Sequence, residues 1–429
     1  MRKLYTAGFY TVLPFILVRA FWRSRKTRNN FQRLGERLGK YSHEQISSSL
    51  WLHAVSYGEA VAAEPLIRQL KTTFANIPII ITTMTATGAI RVESTWKDDS
   101  QIKHIYMPYD LPFIIKRFLK HNNPMLGVIM ETELWPNLLH IAGLNKLPLV
   151  LANARLSPRS LTGYMRIKKL ISPLLKNISV LCAQSTQDAN RFLSLGFPKD
   201  QLMTLGNLKF DIKPPEQQIL KGLEIKQQLP FKHILVAAST HAGEEEQLID
   251  VFSQIRQKFP DTLLILVPRH PERFDEVANL CSKKGHTISR RSSHNLPTSE
   301  TSIFIGDSMG ELYFFYALAN IAFVGGSLVP VGGHNLLEPA ALKLPIVTGP
   351  HLFNFTAISD LLTHSKALHV AKDAEALYDI FCRLLADETY CNRVGAAGYE
   401  VIEENRGATE KHINVITKTI QKTMPRLSD

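Results

Sequence analysis

Glu59 stands three residues after Ser56, in the small turn that follows the run Leu50 to Val55, where a carboxylate can take a proton from a substrate hydroxyl. The same Ser-x-x-Glu spacing fits a helix capping box, in which the Glu side chain turns back to the first amides. Glu131 closes the apolar run Leu126 to Met130 and must be paired or functional, because a lone carboxylate beside a core is costly. Later in the chain, Ser239-Thr240-His241-Ala242-Gly243-Glu244 follows a second apolar run and offers amides and hydroxyls to a phosphate. Arg269-His270 follows the next run, so a guanidinium and an imidazole could meet the same anion; a solvated loop pair is the plainer reading. Asp307-Ser308-Met309-Gly310-Glu311 fits a ligand loop or a capping box through Ser308 and Glu311. Gly325-Gly326-Ser327 and Gly332-Gly333-His334-Asn335-x-x-Glu338 place four glycines within nine positions, which lets backbone approach a ligand closely. Glu338, about a turn inside the following helix, could take a ribose diol, unless these are simply tight turns before a solvated Glu.

These residues need a scaffold that brings strand ends together. Short runs rich in Val and Ile alternate with longer segments of helical period from Leu50 onward, the mark of parallel sheets covered on both faces. Seven candidate strands precede a connector at 211–232, which holds Pro214, Pro215 and Pro230, and seven follow it. The expected organisation is an N-terminal segment 1–22, a doubly wound Rossmann-like domain 23–210, the connector, and a second such domain 233–429. One of the terminal helices could cross back to brace the first domain. In this architecture ligands bind at the carboxyl ends of the strands, where the polar motifs lie.

Other classes are excluded or weakened. The four cysteines form no C-x-x-C pair, so neither a disulfide scaffold nor a thioredoxin-like motif is present. G-x-G-x-x-G after the first strand and the P-loop signature are absent, as is a D-x-D that would hold a divalent ion on a sugar diphosphate. A transfer without metal or other cofactor is expected.

Net charge is +12, yet residues 1–40 carry ten basic side chains against one acidic and so hold nine of those charges. Nucleic-acid binding by the body of the chain is therefore not expected. The basic cluster encloses the apolar stretch Leu4 to Trp22, which at 1.5 Å per residue reaches about 28 Å, close to the hydrocarbon thickness of a bilayer. A spanning anchor is expected, with a helix lying on anionic lipid and a signal peptide as alternatives; the cations after it would keep the body cytoplasmic.

The ordered set Ser56-x-Gly58-Glu59, Glu131-Thr132-Glu133-Leu134-Trp135-Pro136, Gly206-Asn207-Leu208-Lys209-Phe210-Asp211, Pro268-Arg269-His270-Pro271-Glu272-Arg273, Gly306-Asp307-Ser308-Met309-Gly310-Glu311-Leu312, Gly332-Gly333-His334-Asn335 and Gly349-Pro350-His351-x-Phe353-Asn354-Phe355 resembles the 3-deoxy-D-manno-octulosonic acid (Kdo) transferases of lipopolysaccharide assembly. These are inverting glycosyltransferases of the GT-B fold, with two Rossmann-like domains. The resemblance implies CMP-Kdo as donor, a lipid A precursor (lipid IVA) as acceptor, release of CMP, and a place at the cytoplasmic face of a bacterial inner membrane. It implies Glu59 as the base, with Glu131 and Lys209 beside it. Donor contacts would come from Ser239, Thr240, Arg269, His270, Asp307, Met309, Gly310, Gly326, Ser327, Asn335 and Glu338. A sugar-nucleotide epimerase of the same fold and a non-catalytic membrane-bound nucleotide- or polyanion-binding module are the competing readings.

Overall fold

A computed structural model describes residues 1–24 and 33–423. Contacts divide the chain into two units, Met1–Asp211 with Arg406–Asp429, and Ile212–Asn405. The first contains β1 (Ser49–His53), β2 (Ile79–Thr83), β3 (Ile102–Tyr106), β4 (Pro124–Met130), β5 (Leu149–Ala154), β6 (Val180–Ala183) and β7 (Leu202–Thr204). The second contains β8 (His233–Thr240), β9 (Thr262–Pro268), β10 (Ile288–Arg290), β11 (Ile303–Ile305), β12 (Ile321–Val324), β13 (Ile346–Thr348) and β14 (Leu368–Val370).

All pairings are parallel, in the order β3-β2-β1-β4-β5-β6-β7 and β10-β11-β9-β8-β12-β13-β14. Side chains alternate across each sheet, so one run feeds two cores. Trp51, Ile80, Ile129 and Leu151 face one side of the first sheet, while Leu50, Leu52, Ile79, Val128 and Val150 face the other. The second sheet repeats this with Leu235, Ala237 and Leu264 opposite Ile234, Val236 and Leu263. Burial on both faces explains why the strands are continuous apolar runs rather than alternating ones. Strand order switches direction at β1/β4 in the first sheet and at β8/β12 in the second, and in such sheets ligands bind outside the strand ends at the switch point.

Three expectations change. The terminal helix Ala408–Thr423 belongs to the first unit rather than to a 233–429 domain, as the crossing-back alternative had it. Its Ala408, Ile413, Ile416 and Ile420 are buried with Leu50, Leu66 and Leu126. The connector is not a free linker. Glu216–Lys226 is a helix starting behind Pro215, and Gly222 lets it lie close to the Leu312–Leu318 helix, since a Cβ there would sit 2.6 Å from the Ala317 Cβ. Finally, Arg2–Ser24 forms a helix, but among the described residues no helix is long and apolar enough to cross a membrane. Arg2, Lys3, Arg19 and Arg23 dilute its apolar content, as do Thr6, Gly8 and Thr11. Its start is docked on the first unit: Arg2 Nη1 and Thr6 Oγ1 both donate to Asn137 Oδ1 at 2.9 Å, and Phe9 and Tyr10 meet Tyr109 and Phe113. Leu4, Val12, Phe15, Val18 and Trp22 remain exposed. Arg25, Lys26 and Arg28 of the basic cluster lie outside the described residues.

Candidate active site

In the first unit the β1 and β4 ends carry an acidic rim. Ser56 caps the Tyr57–Thr73 helix and accepts from the Glu59 amide, as the capping-box reading expects. The Glu59 carboxylate accepts from the Val55 amide at 2.8 Å and the Ser56 hydroxyl at 3.2 Å, one residue further back than a standard box. These bonds hold the side chain without preventing chemistry. Burial pushes the Glu59 carboxyl up to about 7, and the nearby Glu131 and Glu133 add to the rise against the Val55 amide. A carboxyl poised there exchanges protons near neutrality.

Glu131 follows β4 with φ +55, a left-handed conformation that disfavours residues with a Cβ and is tolerated where surrounding structure fixes it. Lys209 Nζ approaches its Oε1 at 3.5 Å. Lys209 sits in the short turn Leu208–Phe210, where Asn207 Oδ1 accepts from the Lys209 amide and Asn153 Oδ1 from the Leu208 amide, each at 3.0 Å. Asn153 is itself left-handed (φ +52), and its amide donates to His412 Nε2 of the terminal helix at 3.0 Å. Asp211 ties down the same helix by accepting from the Gly407 and Thr409 amides. Glu59, Glu131 and Lys209 are therefore brought together within one unit. Glu133 joins them although no role was expected of it. Its carboxylate accepts from Trp135 Nε1 at 2.5 Å, and burial with Glu131 beside it raises its pKa.

The second unit presents a different rim at the ends of β8, β9 and β12. Ser239 takes φ +56 where the β8/β9 register shifts, which turns the chain out of the sheet. Thr240 is fully buried beneath that turn, and its carbonyl accepts from the Arg269 amide. Gly326 has φ +68, and its carbonyl accepts from the Gly332 and Gly333 amides, closing the glycine loop on itself. The clamp on this loop is Glu244, the last residue of the Ser239-to-Glu244 motif, whose position in the sequence carries no signal of that part. Fully buried, its carboxylate accepts from the amides of His241, Gly326, Ser327 and Leu328 at 2.7–2.9 Å. Ser327 is occupied internally as well, donating its hydroxyl to Val324 O and accepting from the Gly349 amide.

The Arg269 guanidinium faces the Glu338 carboxyl and makes no side-chain hydrogen bond or salt bridge among the described residues. His270 is exposed, and its ring meets His241 at 5.3 Å. Glu338 is the second residue of the Leu337–Ala341 helix rather than a turn inside it. Asn335 donates to its carboxylate at 3.2 Å; burial holds that carboxyl at about 7, while Asn335 and Arg269 oppose the rise. Asp307 is engaged by Ser292 and by Arg290 Nε at 2.7 Å. Met309 is exposed, and Gly310 is left-handed. The Leu312–Leu318 helix starts after Glu311, so Ser308 is not its cap. Glu311 instead accepts from Ser308 and from both nitrogens of an Arg291 fork. Two cavities of about 520 and 430 Å³ lie elsewhere and contain none of the expected residues.

Residues 32–212 match the family described as 3-Deoxy-D-manno-octulosonic-acid transferase (kdotransferase). A protein of Haemophilus influenzae named 3-deoxy-D-manno-octulosonic acid transferase is 41% identical over 430 residues, covering 99% of this chain and 100% of its own. Among solved structures, a UDP-GlcNAc 2-epimerase from Neisseria meningitidis aligns with TM-score 0.57 at 15% identity, covering 86% of this chain and 100% of its own. A glycosyltransferase from Rickettsia africae aligns with TM-score 0.56 at 15% identity, covering 88% and 99%. At such identities the structural likeness speaks for the GT-B fold alone, whereas the full-length sequence likeness is specific: the chain belongs to the 3-deoxy-D-manno-octulosonic acid transferase family, a family of glycosyltransferases.

Proposed function

We propose that the protein transfers Kdo from CMP-Kdo to a lipid A precursor such as lipid IVA in lipopolysaccharide synthesis, with inversion and release of CMP. The observation that carries this reading is the Glu59 carboxyl, poised at about 7 at the switch point of the first sheet. As a carboxylate it accepts the proton of the acceptor hydroxyl while that oxygen attacks the anomeric carbon. Lys209 balances the charge of Glu131 beside it.

The leaving group is a phosphate monoester already attached to the sugar, so its departure calls for positive charge and amide dipoles. Arg269 supplies the charge, His270 a ring N–H, and the Gly326 region supplies backbone that a nucleotide can approach closely. Asn335 and Glu338 are suited to a ribose diol.

The exposed apolar side chains of the Arg2–Ser24 helix, together with the amino-terminal basic residues, suit a helix lying on an anionic membrane. Each Lys or Arg near such a surface contributes about 1 kcal/mol. We place the body at the cytoplasmic face of the inner membrane, beside its lipid acceptor.

The test is to incubate the purified protein with CMP-Kdo, with and without lipid IVA. Release of CMP only when lipid is present, with product masses rising by whole Kdo residues, is the expected result. CMP release without lipid, or isomerisation of a sugar nucleotide, would overturn the assignment.

A further inference from the structure

The second unit carries an imidazole pair that no role above uses. His241 follows β8, and His334 lies in the glycine loop after β12. Their rings lie in planes within 5° of each other with centroids 5.0 Å apart, and the two Nε2 atoms meet at 2.8 Å. Nitrogens at that distance hold one proton between them, so one ring donates, the other accepts, and the pair is neutral. The backbone permits this contact because residue 326 is glycine; a Cβ there would lie 3.0 Å from the His334 ring.

Positive groups face the pair, several with acidic partners of their own: Glu245 and Glu276 pair with Arg273, and Glu272 lies 3.9 Å from His270. Arg269 and His270 face both rings, and Arg273 faces His241 as well. Glu244 is the carboxylate nearest His241, but its oxygens already accept four backbone amides. Glu338 faces Arg269. Burial and these positive neighbours hold His334 down to about 4, and His241 is lowered chiefly by burial. Among the described residues no group of His, Cys, Asp and Glu is arranged to hold a metal ion, so the cluster is not a metal centre. Half-exposed imidazoles beside a guanidinium are suited to an oxyanion instead.

We propose that His241 and His334 bind the phosphate of the CMP moiety, and that their mutual hydrogen bond is the ligand-free arrangement. A phosphate oxygen replaces the accepting Nε2, a proton from solvent joins the pair, and each ring then donates an N–H to the anion beside Arg269. The one bond formed is an N–H on the ring whose Nε2 had accepted, which becomes an imidazolium; one proton is taken up per phosphate bound. This rests on the donor reading above and adds two residues and a proton to it.

The test is calorimetric titration of the full-length protein with CMP between pH 6.5 and 8.5, in buffers of different ionisation heat. Proton uptake beyond that of CMP's own phosphate is expected, with affinity falling as pH rises. His334→Gln and His241→Gln should each weaken CMP binding about tenfold or more and abolish the extra uptake, as expected for losing a charge-assisted hydrogen bond. If CMP binds the wild type but both variants match it in affinity and uptake, this proposal fails and the donor reading stands. If the wild type binds no CMP, the donor reading fails with it. Should the variants not fold, the imidazole carbon-bound proton resonances of the wild type decide. At pH 7 the His241 and His334 signals should move toward the imidazolium position with CMP and stay in place with free Kdo. No movement with CMP, or the same movement with Kdo, would overturn the proposal.

Discussion

The two units use the same scaffold and put opposite chemistry on it. At the β1/β4 switch the carboxylates are crowded: Glu59 and Glu133 stand near Glu131, and burial with mutual repulsion pushes both of their pKa values up. In the second unit three acidic groups are instead tied into the structure, while burial pushes Glu338, after β12, up to about 7 as it does Glu59. Glu244 binds four amides, while Asp307 and Glu311 are paired with Arg290 and Arg291. That leaves Arg269 and the imidazoles facing outward. A carboxylate therefore acts as a proton acceptor or as a clamp according to what surrounds it, and residue type alone does not decide which.

Glu59→Gln breaks the comparison on the side of the first unit. It keeps the side chain's shape and removes the base, so transfer should slow by about 10²- to 10⁴-fold while CMP affinity stays unchanged. Single-turnover transfer and equilibrium CMP binding measure the two parts; a normal rate would remove Glu59 from the reaction.

Glu244→Gln is the matching change in the second unit, and its effect should fall on structure. The amide NH₂ would face backbone N–H donors, costing about 2–4 kcal/mol of stability. Thermal unfolding would show a lower Tm and titration a weaker CMP affinity. Unchanged stability would mean that the clamp is not holding the glycine loop.

Glu131→Gln sharpens the contrast with the smallest effect. Activity that needs ionised Glu59 rises with pH through about 7. Glu131 is one of the charges raising that value, so its removal should move the acid limb of the pH–rate profile to lower pH. An unmoved or raised limb would separate the two carboxylates.

Much of the fold is legible because parallel strands buried on both faces must be continuous apolar runs. Leu126 to Met130 and Ile321 to Val324 announce themselves in this way. The site is legible in part, since polar residues directly after such runs must lie at the strand ends. What stays hidden depends on distant partners. Glu59 and Glu244 each stand near a helix start, yet one carboxyl is poised for proton transfer while the other meets loop amides about 80 residues away. Ser239 and Glu131 are not residues that advertise a left-handed backbone, as Asn153 is, and only the packing around them imposes it. The His241–His334 contact joins residues 93 apart in sequence, a separation that leaves no local signal. The amino-terminal helix shows the limit of a length criterion: about 28 Å matches a bilayer, yet with its basic and small residues it is not apolar enough to span one.

By itself the sequence determined the two parallel sheets, the order of their strands along the chain and the polar motifs that cap them, because burial and backbone hydrogen bonding act locally on residue type. Only the tertiary structure decided which carboxyl keeps its proton near neutrality, which is fastened to backbone amides, and which unit the last helix completes. Those outcomes depend on desolvation and on charges brought close in space, and such quantities exist only once the chain has folded.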